Sequence, residues 1–149
     1  MHFLSMLLSL NKQILLYLII GTGILFRVYN VDYDDLWYDE IISFWVANPN
    51  FSFKETLVFH NQIETTSIVY NIILKNYFKV FDYNVFNGRI FSAFWGVLSI
   101  FSIAYLDKKL NKNSHSYLFS SFLISLNIFL IGFSQELRNY TLLFFITSL

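Results

Sequence analysis

The chain has 149 residues, of which 56% are hydrophobic, 21% aromatic and only 13% charged, against about 25% charged in an ordinary soluble domain. A protein of this size cannot hide that much apolar surface in water, so lipid is part of its solvent. Net charge is zero without a basic patch, which excludes a nucleic-acid footprint, and the absence of cysteine excludes disulfide and thiolate chemistry.

Ile14 to Val31 (ILLYLIIGTGILFRVYNV) predicts a first transmembrane helix of about 18 residues, close to what hydrocarbon requires. Arg27 lies near its outer end, where a long side chain can snorkel. A secretory signal peptide is the competing reading, but the charge order is wrong for one and no A-x-A-like site follows. A polar stretch from Asp32 to about Thr66 comes next, carrying Asp32, Asp34, Asp35, Asp39, Glu40, Glu55 and Glu64 with Lys54 as its cation. Within it, residues 40–48 predict a short helix ended by Pro49. Ile41, Phe44 and Trp45 at i, i+3, i+4 make an apolar face suited to the membrane interface.

Residues 67–81 are apolar but interrupted by Asn71, Lys75 and Asn76. A poor transmembrane helix and an interfacial amphipathic helix compete there. Residues 88–106, opened by Arg89, predict a second span; 117–133 predict a third; 140–149 begin another. Between them lies DKKLNKNSH. Lysines collect on the cytoplasmic side of short loops, which places Lys12, Lys108, Lys109 and Lys112 together if 67–81 stays at the interface. The acidic loop and SQELR (134–138) then share the outer face. If 67–81 crosses, the lysine loop moves outside, so the interfacial reading is preferred. The last apolar run is about half the 20 residues a crossing needs, and the chain reads as one domain-sized, N-terminal piece of a longer protein.

Two clusters could carry chemistry. Asp39 and Glu40 begin a helix, where carboxylates are favoured by about 0.3–1 kcal/mol; simple capping explains them, and so does a general base whose pKa partial burial raises. The second is Gln135, Glu136, Arg138 and Tyr140. Gln135, Arg138 and Asn139 share a helix face, and an acid with an arginine at membrane depth is costly and usually functional. A polar collar between two spans is the bland alternative, whereas an arginine there suits a phosphate. Trp37 stands where an EF-hand needs glycine, so DYDDLWYDE is no calcium loop. His60 and Glu64 at i, i+4 are too few ligands to argue a metal site, and no metal or cofactor is expected.

The ordered pieces resemble a known family. An arginine ends the first span, LWYDE follows, NGRIFSAFWGVLSIFSIAYL is a span opened by an arginine, and SQELRNYTLL follows another. This is similar to the N-terminal part of the GT-C class of membrane glycosyltransferases, in the protein O-mannosyltransferase-like and aminoarabinose-transferase-like branch. The resemblance covers residues 14–149. It implies an all-α membrane protein whose outer-face first loop carries interfacial helices. It implies a polyprenyl-phosphate sugar donor, a lipid, glycan or protein acceptor, and a site on the outer (periplasmic) face of a bacterial plasma membrane. It implies catalytic roles for Asp39 and Glu40, with Asp39 as the base, and donor or acceptor contacts from Arg138, Glu136, Gln135, Arg89 and Glu64. The family often has His-Pro-Pro where this chain has Thr66, Ser67 and Ile68. A small non-enzymatic membrane scaffold or translocator subunit is the alternative from another class.

Overall fold

The computed structural model describes residues 2–63, 66–112 and 115–149, with side chains from Asn11 onward. Glu64, one of the residues expected at the site, lies outside them. The described residues form helices α1 (His2–Val28), α2 (Tyr38–Val46), α3 (Phe53–Ile63), α4 (Ile68–Phe78), α5 (Val85–Leu110), α6 (Ser116–Leu126), α7 (Ile128–Gln135) and α8 (Tyr140–Thr147), with no strand among them. Two segments, Asn11–Val28 and Val85–Leu110, are long and apolar enough to cross a membrane, and α6 with α7 makes a third if taken as one bent span.

Many large apolar side chains of the long helices are exposed, while small polar ones are buried between helices. Tyr17, Leu18, Leu25, Phe94 and Tyr105 face outward, whereas Ser92, Ser99, Ser102, Ser121, Ser125, Ser134 and Thr141 are buried. Lipid gives apolar side chains no reason to hide, so helices associate through small residues that permit close approach. A Cβ on Gly23 would meet Ile100 Cδ1 at 2.6 Å, and one on Gly96 would meet Ser134 Oγ at 2.1 Å. Those two glycines let α1 and α7 lie against α5, which packs on α1, α6, α7 and α8.

Side-chain contacts fix the directions. At one end Lys12 Nζ, in the N-terminal half of α1, donates to His115 Nε2 at 2.6 Å, just before α6. At the other, Arg89 at the start of α5 donates to the carbonyl of Val31, just beyond α1. Helices α1 and α5 are therefore antiparallel. Helix α8 runs alongside α5, with Thr141 Oγ1 donating to the Ser92 carbonyl and Ser148 bonded to Ser102.

The span read over 117–133 is instead two helices, bent by 54°. Asn127 caps α7 by accepting from Leu130 N at 3.0 Å, which favours a fresh helix start over continuation. Arg27 accounts for the other side of the break. It does not snorkel: it is fully buried, and its guanidinium donates to the carbonyls of Gly23, Ser125 and Ile124 at 3.0, 3.2 and 2.9 Å. The last two are end-of-helix acceptors of α6 that a continuous helix would have used itself.

The first loop folds into three short helices. At 11 residues α4 is about 16 Å long, roughly half the hydrocarbon thickness, so it cannot cross. Asn71 and Lys75 face protein, whereas Asn76 is exposed. Lys75, 6% exposed, donates to Thr56 Oγ1 at 2.7 Å and to the carbonyls of Phe51 and Ser52, tying α4 to the start of α3. Burial pushes its ammonium below the usual lysine range. Helix α3 begins with a capping box at Ser52 and Glu55: each side chain accepts the other's backbone N–H, at 3.2 and 2.6 Å. Beneath these helices Ala47, Tyr70, Leu74, Phe78, Phe91, Leu137 and Leu142 form the core, flanked by Phe44 and Tyr83.

Candidate active site at the outer ends of the long helices

Helix α2 turns its polar side inward. Glu40, Ser43 and Val46 are its buried residues, while Ile41 and Trp45 of the expected apolar face are exposed. Glu40 thereby reaches Arg89 in a bidentate pair: Arg89 Nε donates to Oε1 at 2.9 Å and Nη2 to Oε2 at 2.8 Å. The backbone N–H of Leu137 donates to Oε1 at 2.7 Å. Arg89 also donates through Nη1 to the carbonyls of Val31 and Asp34, and through Nη2 to that of Asp35. One buried ion pair thus clamps the first loop, the start of α5 and the turn between α7 and α8. Three N–H donors thus hold the Glu40 carboxylate in one orientation. Glu40 is locked in the interior, whereas Asp39 stands at the surface.

Asp39 projects from the same turn with its side chain 42% exposed, and its Oδ2 lies 3.8 Å from Arg138 Nη2. Arg138 Nη1 also donates to the Asp39 carbonyl at 3.2 Å and to Ser43 Oγ at 3.4 Å. The Tyr140 ring lies 5.7 Å from the guanidinium carbon, within cation–π range. Behind Arg138, Ser92 Oγ donates to its carbonyl at 3.3 Å. That commits the serine proton, so Tyr70, 2.8 Å away, is the donor to Ser92 Oγ.

Each residue of 134–138 has a distinct setting. Ser134 packs against Gly96. Gln135 Nε2 donates to the carbonyls of Phe26 and Tyr29 at 3.0 Å each, closing the end of α1. Leu137 is core, and Arg138 meets Asp39. Glu136 is half-buried, and its Oε2 is shielded without a hydrogen-bond partner. Burial first, and then the charge of Glu40, pushes its carboxyl above the usual carboxylate range.

Glu136 opens onto a cleft of about 410 Å³, also lined by Asp34, Trp37, Glu40, Arg89 and Gln135. Asp39 and Arg138 do not line this cleft. The structure therefore brings together Asp39, Glu40, Arg89, Gln135, Glu136 and Arg138 at one end of the long helices, in two adjoining parts: an exposed carboxylate–arginine pair and an acidic cleft. Sequence reasoning missed Tyr70, Ser92 and Ser43, which support Arg138; no local motif marks them.

His60 is not free to bind a metal. Its Nε2 lies 2.9 Å from the Thr66 carbonyl and so carries the proton, which leaves Nδ1 to accept from Asn71 Nδ2 at 3.1 Å. Among the described residues no group of three or more His, Asp or Glu could hold a metal ion. No protein-family model, curated protein or solved structure matches the chain.

Proposed function

We propose that the protein is a GT-C-type membrane glycosyltransferase that moves a sugar from a polyprenyl-phosphate donor to an acceptor hydroxyl at the outer membrane face. The observation that carries this reading is the 3.8 Å approach of Asp39 and Arg138 at the end of the apolar helices away from Lys12 and Lys108, where a lipid-borne substrate arrives from the bilayer. Asp39 takes the acceptor's hydroxyl proton as its oxygen attacks the anomeric carbon. The bond from that carbon to the phosphate oxygen breaks with inversion, and the polyprenyl phosphate leaves with the electron pair. Arg138 stabilises the charge gathering on the leaving phosphate. Binding that phosphate also draws Arg138 away from Asp39, which frees the carboxylate to accept a proton. Glu40 and Arg89 act by position. Glu136, which lines the cleft, is suited to hydrogen-bond a sugar hydroxyl there.

The full-length protein in liposomes containing a polyprenyl-phosphate sugar tests this through release of polyprenyl phosphate. Asp39→Asn should lose turnover by at least about 100-fold, the usual scale of a general base, and Arg138→Ala should weaken donor use, both with membrane insertion intact. Wild-type turnover in both variants, or an untouched donor, would sink the reading; a non-enzymatic scaffold predicts the latter.

A further inference from the structure

The opposite end of the helices carries a pocket that the transfer reading does not use. It occupies about 580 Å³ among α1, the end of α5 and the start of α6. At 1.5 Å per residue along α5, Lys108 lies about 28 Å from Arg89. One wall carries Lys12, Lys108, Lys112 and His115; the other is apolar, with Leu16 and Phe101.

We propose that this pocket binds the phosphate-bearing headgroup of an anionic phospholipid, with Lys12, Lys108 and Lys112 around the phosphate and Leu16 and Phe101 against the first acyl carbons.

Charge carries the argument. No carboxylate lines the pocket, and among the described residues none pairs with these three lysines. Lys12 instead lies 2.6 Å from an imidazole nitrogen of His115, and Lys108 lies 5.8 Å over the Tyr117 ring. The nearby acid, Asp107, is turned to other donors: Ser116 Oγ at 2.7 Å, and Ser120 Oγ and Asn111 Nδ2 at 2.5 Å each. The pocket is therefore a concentrated positive charge without a counter-ion. Depth names the ligand. Lys12 is the second residue of the apolar segment Asn11–Val28 and Lys108 is two residues from the end of α5, so the cations sit at headgroup level, with the apolar wall toward the acyl chains. Basic pockets between helices at the membrane surface suit anionic headgroups, and Lys12, Lys108 and Lys112 make this one basic. The proposal stands independently of glycosyl transfer.

The test follows thermal unfolding of the full-length protein in neutral detergent. Dioleoylphosphatidylglycerol, dioleoylphosphatidylcholine and inorganic phosphate are added separately at equal ionic strength. Phosphatidylglycerol should raise Tm while the other two do not, and Lys12→Gln and Lys108→Gln should each weaken its apparent affinity about fivefold. Lys54→Gln and Lys79→Gln, at exposed positions outside the pocket, should leave it unchanged. Lys112→Gln at an exposed position tests the site should a Lys12 or Lys108 variant misfold, read by displacement of fluorescent phosphatidylglycerol. Equal shifts from the two lipids, or lysine variants that bind phosphatidylglycerol as the wild type does, would overturn the proposal. An equal shift from inorganic phosphate would also overturn it, making the ligand a free anion.

Discussion

Glu40 and Arg89, 49 residues apart, meet side-on through two hydrogen bonds of 2.9 and 2.8 Å, with 1% and 5% of their side chains exposed. Removing one partner of such a pair strands the other charge, at a cost of about 3–5 kcal/mol, whereas replacing both by apolar groups is often neutral. We predict that Arg89→Met and Glu40→Leu each lower the unfolding temperature sharply in detergent. The double variant should recover a large part of the loss. Additive losses in the double variant would show that the pair is not coupled.

Arg27 should be required for the bend between α6 and α7. Losing its hydrogen bonds to the Ser125 and Ile124 carbonyls removes charge-assisted bonds of about 1.5–3 kcal/mol. Arg27→Met is expected to destabilise the protein by that order. Arg27→Lys should rescue only partly, because an ammonium lacks the fork that spans two carbonyls. Full rescue by lysine, in equilibrium unfolding, would refute the bidentate role.

Glu136 predicts a pH dependence of definite sign. Its folded pKa lies above the unfolded value, so between those two values the folded state holds more protons and stability falls as pH rises. The contribution is fully present below the unfolded pKa and is lost as pH passes through the raised one. The difference in Tm between wild type and Glu136→Gln, followed upward from about pH 4, the ordinary glutamate range, isolates the term. A wild type that instead gains on the variant as pH rises would contradict it.

Gly96→Ala should cost about 1–3 kcal/mol through overpacking, since the new methyl would lie 2.1 Å from Ser134 Oγ. Ser134→Ala in that background should restore part of it. Gly132→Ala, with nothing within 4 Å of its Cβ position, should be tolerated. Thermal unfolding of the four proteins separates close packing from any general intolerance of alanine.

The absence of native cysteine makes labelling clean. Single cysteines at the exposed positions Asp35 and Lys112 should react with an impermeant maleimide from opposite faces of intact membrane vesicles. Labelling of both from one face would contradict a crossing by α1 and α5.

Several features lay open in the sequence. The apolar stretches that became α1 and α5, the lysines that gather at one end and the polar clusters that gather at the other all follow from local composition. The bend at Asn127 was not legible, because the run from Tyr117 to Phe133 is uncharged and mostly apolar, and the group that donates to the freed carbonyls, Arg27, is about a hundred positions away. Lys75 and Asn71 looked like interruptions on a wet face, since nothing local announces that α3 will cover them.

What the sequence determined by itself is the class of solvent and the polarity of the two ends, because length, hydropathy and lysine placement are sums over neighbours along the chain. Only the tertiary structure decided which of two adjacent acids is locked and which is exposed. Successive residues on a helix point about 100° apart, so Asp39 and Glu40 cannot face the same way. The packing of α5 and the 136–139 turn against α2 sets the inward direction, giving Glu40 to Arg89 and leaving Asp39 at the rim beside Arg138.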